Sequence, residues 1–413
     1  VAEQAIESKD AAAALGPGLA MAAKAPLGFI LMLGALTGVG PLSIDMYLPG
    51  LPAIGRELRA GSASVQQTVA AFFIGIAVGQ VVYGSLSDRF GRRGPLLFGM
   101  GLYLLASIGC ALSNSIGMLI GFRLLQALGG CAGMVIPRAV VRDRFEHHEV
   151  MHVLSMLMLV MGLAPILAPL IGGFVLQTAG WRAIFWIQVA FAASVGTAVL
   201  LTLPESRSEA TAAQARGEHP LRSYLGLLSR PRLMGYVLTG AFSGSALFVY
   251  VATSPDIIIG HFHVRPENFG WVFGINAFGF IGCSQVNARL ARRYRSDAIL
   301  KWANLVAFAG ALALLADAVT GFGGLAGFVA PMFVVMASLG FTQPSATAGA
   351  LGEDPTRAGA TSALLGATGF GGGALAAALA GLARDGTVRP MALTLTLSLA
   401  AAVVCLRTMV KPK

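Results

Sequence analysis

Two ionisable side chains, Asp45 and Arg123, stand alone inside long apolar stretches. An ionised group at the centre of a bilayer costs about 2.5–3.5 kcal/mol on insertion scales, so such residues face a pathway or a partner. A carboxylate there can take up and release a proton, and a guanidinium can tune or compete with that proton. Arg123 and Gln126 are three residues apart and share a helix face. The alternative for Arg123 is structural, bonding backbone carbonyls of the first apolar run. Tyr47, Gln126, Tyr250, Asn276 and Gln343 are candidate substrate-binding groups, because aromatic surface with a few hydrogen-bonding groups suits amphiphilic cargo. Each also fits ordinary interhelical packing.

Other chemistries find little support. No paired catalytic acids, metal cluster or nucleophile–base arrangement stands out, so neither an enzyme nor a cofactor is expected. Cys110, Cys131, Cys283 and Cys405 fall in four different apolar runs without ligand spacing and read as small buried hydrophobes. His147, His148 and His152 lie in a charged loop and read as solvated residues rather than a metal site. Gly369–Gly373 mimics part of a dinucleotide loop, but no strand precedes it, and close helix packing explains it. No Walker loop is present, which argues against ATP-driven transport.

The elements that position these residues follow from composition. Of 413 residues, 56% are hydrophobic and 12% charged, with mean hydropathy +0.74; soluble domains carry about 25% charged residues. An all-α polytopic membrane protein is expected. The net charge of +10 does not point to nucleic acid, because the basic residues lie in short gaps between apolar runs, where lipid and topology explain them. About 20 apolar residues cross a hydrocarbon core. That yields runs near 27–52, 65–87, 95–112, 116–140, 150–176, 183–203, 233–253, 269–288, 298–319, 325–348, 358–382 and 391–406. With the amino terminus inside, 22 of the 29 Lys and Arg residues fall on the cytoplasmic side, 6 on the other, and Arg123 within a span. Both termini are therefore expected in the cytoplasm. The expected division is a cytoplasmic tail at 1–26, six helices over 27–203, a polar linker at 204–232, six helices over 233–406 and a tail at 407–413. The first tail lacks the apolar core of a signal peptide.

Between the second and third runs stands Gly84-Ser85-Leu86-Ser87-Asp88-Arg89-Phe90-Gly91-Arg92-Arg93, where glycines allow close packing and a tight turn. The whole pattern resembles the signature loop of the major facilitator superfamily. That resemblance implies a conformational latch in Gly84, Asp88, Arg89, Gly91 and Arg92, with Asp88 holding the two halves together near Thr356–Gly359. The corresponding second-half loop, residues 287–293, keeps its basic residues but lacks the acid. Arg123-Leu124-Leu125-Gln126-Ala127-Leu128-Gly129 is similar to the second family motif, with Ala127 in place of Gly, and implies a proton-coupling role for Arg123. Ala164–Gly173 resembles the antiporter motif, which implies a tight hinge and seal at Pro165, Pro169, Gly172 and Gly173.

The segment Asp45-Met46-Tyr47-Leu48-Pro49, with Ser254-Pro255 and Gly359–Ala363, resembles the Bcr/CflA branch of drug-resistance exporters. The likeness covers nearly the whole chain beyond its first tail. It implies a monomeric proton-coupled antiporter of the bacterial inner membrane, its partners protons, the lipid bilayer and small amphiphilic drugs in the bicyclomycin and chloramphenicol range. Two six-helix bundles rock about a midplane cavity, and Asp45 releases substrate when protonated from outside. Thr37, eight residues before Asp45, offers no second acid. A superfamily transporter for one specific metabolite, as a uniporter or symporter, is the alternative.

Overall fold

The computed structural model describes residues 27–145, 147–207, 225–291, 293–354 and 357–410. The first tail, the last three residues, most of the linker (208–224) and Thr356 lie outside them, as do the side chains of His147, His148, His152 and Met158. Among the described residues there is no strand. The helices are α1 (Leu27–Asp45), α2 (Leu51–Glu57), α3 (Ser62–Phe90), α4 (Arg93–Ala111), α5 (Ile116–Arg144), α6 (His147–Thr202), α7 (Pro231–Pro255), α8 (Pro266–Leu290), α9 (Ser296–Thr320), α10 (Gly324–Glu353), α11 (Ala358–Leu382) and α12 (Arg389–Met409).

Eleven stretches are long and apolar enough to cross a membrane, and one of them, Val160–Thr202, has 43 residues. At 1.5 Å per residue that stretch would reach about 65 Å, twice the hydrocarbon core. Its helix breaks at Gly180 (φ 76°, ψ 174°), a conformation that only glycine adopts without strain. It therefore crosses twice, and the described chain makes twelve crossings. An even number returns the last crossing to the face where the first began, called here the terminal face.

The first run does not stay helical across 27–52. It ends at Asp45, passes through a 3-10 turn at Leu48–Gly50 and resumes as α2. Pro49 is the cause: its ring would collide with the carbonyl of residue 45, four positions back, and it has no N–H to donate. By contrast, Pro165 and Pro169 are absorbed within helical dihedrals, since Gly180 is the one non-helical residue inside α6.

Small residues bring the helices together. A side chain on Gly75 of α3 would sit 2.6 Å from both the Leu124 carbonyl and Ala127 Cβ of α5, and one on Gly79 would sit 2.6 Å from Cys131 Cβ. With no room for a side chain there, the two backbones approach closely and gain dispersion contacts where lipid supplies no hydrophobic drive. The first six crossings meet the last six along two seams, α3 against α11 and α6 against α8. Phe73 of α3 closes the first seam against Phe248 of α7 at 4.7 Å between ring centroids, and Phe248 meets Phe370 of α11 at 4.8 Å.

Candidate functional site

Asp45 is the last residue of α1, where the chain unwinds midway through the first crossing. The residue is 6% exposed, and no side chain among the described residues hydrogen-bonds or ion-pairs with it. Its neighbour Met46 is held from behind by Gly172 of α6: a side chain there would run into the Met46 carbonyl. Gly173, the next residue, faces the other half: a side chain there would start 3.2 Å from the Pro266 carbonyl at the start of α8. Two glycines of the α6 motif thus join the break beside Asp45 to the seam between halves.

Arg123 is fully buried and belongs to a separate network. Its Nη1 donates to the Ser43 carbonyl at 3.0 Å and to Gln126 Oε1 at 2.7 Å. Its guanidinium carbon lies 4.4 Å from the Tyr47 ring centroid and 4.2 Å from that of Phe72. Such aromatic faces stabilise a desolvated cation by about 2 kcal/mol. Gln126 Nε2 donates to Ser107 Oγ at 2.7 Å and to Gln188 Oε1 at 2.8 Å. Ser43 and Tyr103 share a 2.6 Å hydroxyl bond, and Tyr47 and Thr68 a 2.8 Å one. Arg123 therefore bonds a backbone carbonyl of the first crossing and makes no ion pair with Asp45 in this conformation.

The candidate substrate groups fall into two clusters, one per half. Tyr47 and Gln126 belong to the arginine network. Tyr250 pairs with Asn276 Nδ2 at 2.8 Å and stacks on Phe273 at 5.3 Å. All four are essentially fully buried, so in this conformation they present no open lining. Their polar atoms bond to neighbouring helices because an unpaired dipole in a low-dielectric interior is costly. Only Asn276 Oδ1, in this set, lacks a partner. Gln343 is half-buried and donates to the Gly240 carbonyl at 3.0 Å.

The loop at the terminal face is closed within its own half. Arg92 donates to Asp88 at 2.5 Å, to Ser87 at 2.9 Å and to Asp143 at 2.8 Å. Asp88 has 47% of its side chain exposed; its expected partner region includes Thr356, outside the described residues. Arg89 lies over the Phe90 ring at 5.8 Å. Gly91 (φ 96°) is the glycine this turn requires. Gly84, by contrast, has nothing within 4 Å of where a side chain would start, so it does not provide the close packing expected of it: its face of α3 is unoccupied here.

Sequence reasoning missed the clamp on this loop. Glu205 accepts the Arg92 and Arg93 backbone N–H groups at 2.8 and 3.2 Å, and Arg207 donates to the Asp88 and Arg89 carbonyls at 3.3 and 2.5 Å. Burial pushes the Glu205 carboxyl up, but the N–H groups of Arg92, Arg207, Arg93 and Ser206 outweigh it and hold the group below its ordinary range. The signal available was a Glu and an Arg directly after the sixth run, which reads as mere linker. Also missed was a junction at the opposite face. There Gln66 of α3 donates to Asp256 after α7, which lies 3.6 Å from Arg384, while His261 meets the Gly386 carbonyl at 3.1 Å. Gln66 and Asp256 come from different halves, so this junction joins them. An acid closing an apolar run was its only trace in the sequence.

Twelve crossings in the described chain, two seams between its halves and a buried carboxylate inside a crossing mark a multi-pass membrane protein. The sequence profile of the Major Facilitator Superfamily matches residues 33–378, and the chain belongs to that superfamily. It is 34% identical over 345 residues to the uncharacterized MFS-type transporter YdgK of Bacillus subtilis, covering 83% of this chain and 86% of that protein. It is 30% identical over 373 residues to a bicyclomycin resistance protein homolog of Haemophilus influenzae, covering 89% and 92%. A chloramphenicol resistance protein of Pseudomonas aeruginosa is 30% identical over 74% of this chain and 72% of its own length. The crystal structure of a D-xylose-proton symporter superposes with a TM-score of 0.71 at 15% identity, over 93% of this chain and 98% of that one; this likeness concerns the fold alone. The superfamily's members are transporters, so the chain is a transporter rather than an enzyme.

Proposed function

We propose that this protein exports small amphiphilic drugs across the bacterial inner membrane by exchanging them for protons. Both termini face the cytoplasm, and bundles of residues 27–203 and 233–406, joined by the linker, rock about a shared cavity. The observation that carries this reading is Asp45: a carboxylate inside a crossing with no partner among the described residues, at a helix break braced by Gly172, whose neighbour Gly173 faces the opposite half. A carboxylate without an internal cation exchanges its proton or accepts a cargo hydrogen bond without first breaking a salt bridge. Arg123 holds the first crossing in place and sets the field near the break. The Gln66–Asp256 junction and the Phe73–Phe248–Phe370 rings close the outer side, while the exposed Asp88 leaves the cytoplasmic side unlatched. The relatives named for bicyclomycin and chloramphenicol resistance support drugs as cargo.

One proton moving inward gains about 2.3 kcal/mol per 100 mV, enough for roughly a few tens of fold of uphill substrate gradient. The test is chloramphenicol transport in proteoliposomes under an imposed pH gradient, with Asp45→Asn. Loss of pH-driven accumulation, with gradient-driven exchange retained, is expected. Unaltered proton-driven accumulation rejects Asp45 as the coupling site.

A further inference from the structure

Arg138 is one of the basic residues near the terminal face, and its position gives it more to do. It lies on α5 six residues before Arg144, the helix end, hence about 9 Å in from the terminal face. Its neighbours Pro137, Ala139, Val140 and Val141 are buried. Its own side chain is exposed. A cation exposed this far in from the helix end faces an aqueous opening rather than the hydrocarbon, where a charge is expensive. Its Nη2 lies 3.8 Å from Met161 Sδ on α6. The residues flanking Met161 locate that contact: Val160 packs 3.2 Å from the side-chain position of Gly34 on α1, and Ile281 of α8 lies 3.4 Å from the side-chain position of Gly162. The contact therefore sits where α6 turns from its own half toward the other.

The described acids at this face are already committed. Asp88 and Asp143 bond Arg92, Asp297 and Glu353 bond Arg232, Asp354 bonds Arg230, and Glu205 holds backbone N–H groups. No described carboxylate pairs with Arg138. Among the described residues, the opening thus has a cation with no acid partner near its mouth.

Resting on the drug-export reading, we propose that Arg138 is the charge filter of this vestibule: it admits amphiphiles whose leading group is neutral or anionic and holds back lipophilic cations. A guanidinium is weakly hydrated and offers a planar fork of donors, which suits carbonyl, nitro or carboxylate oxygens. A unit positive charge passing within about 10 Å is disfavoured more than tenfold at the effective dielectric of such sites.

The test uses the full chain in lipid nanodiscs, with tetraphenylphosphonium as the cationic probe and chloramphenicol as the neutral one. Arg138→Gln should raise tetraphenylphosphonium binding about tenfold over wild type, while Arg138→Lys, which keeps the charge, should bind it as wild type does. An Arg138→Gln protein that binds the cation no better than wild type, including no detectable binding by either, overturns the filter. An equal gain in Arg138→Lys overturns it too, because shape rather than charge would then be at work. Chloramphenicol binding by wild type is read separately: its absence counts against the export reading, whereas the Gln-to-wild-type ratio for the cation decides the filter.

Discussion

The contact between Gly172 and Met46 makes the sharpest prediction about how packing serves the site. In Gly172→Ala, the new Cβ would lie 2.8 Å from the Met46 carbonyl carbon, 3.1 Å from its Cα and nearer still to its oxygen. Carbon atoms settle at about 3.5–4.0 Å, so α6 and the unwound segment must part by roughly half an ångström to one ångström. Both sides are backbone, and no flexible side chain can swing away. Forced methylenes in a packed core cost about 1–3 kcal/mol, and a lower melting temperature in detergent is expected. Because Met46 follows Asp45 directly, the carboxylate moves with it. Displacements of this size at a working site cost up to about 10²-fold, so pH-driven transport per folded molecule should fall at least about tenfold. Gly101→Ala is the control, since nothing lies within 4 Å of its side-chain position; it should melt at or above the wild-type temperature. Wild-type stability and transport in Gly172→Ala refute the brace. Lower stability with intact transport per folded molecule refutes the link from brace to carboxylate.

Two further predictions test the ends of the molecule. Asp256→Asn weakens the junction with Gln66 and Arg384, so a cysteine placed at Thr253 should be labelled several-fold faster from outside by a membrane-impermeant maleimide; an unchanged rate removes the junction from the gate. Glu205 is held below its ordinary value of 4.5 in the folded protein, so its stabilising contribution is fully present above about pH 4.5 and lost as pH falls through the lower, folded value. The Glu205 contribution to melting temperature should therefore fade below about pH 4.5, and Glu205→Gln, less stable at neutral pH, should show a shallower acid slope; parallel acid slopes would remove Glu205 from the clamp.

Crossing number, helical class and superfamily were legible in the residues because lipid imposes them locally. A backbone with no water to bond must form helices, each about 20 apolar residues long, and the ten-residue loop pattern is contiguous. Asp45 and Arg123 stood out for the same reason, as charges where charge is expensive. The break after Asp45 was also encoded, in Pro49, although the apolar run concealed it. What only the tertiary structure decided is which polar groups meet. Arg123 found the Ser43 carbonyl and two aromatic rings rather than Asp45, and Gln66 found Asp256, 190 residues away. Tyr47, Gln126, Tyr250 and Asn276 became bonded interior rather than open lining. Burial and partner choice are properties of several helices together. A single segment fixes its own length and hydropathy, but not the neighbour that satisfies its dipoles.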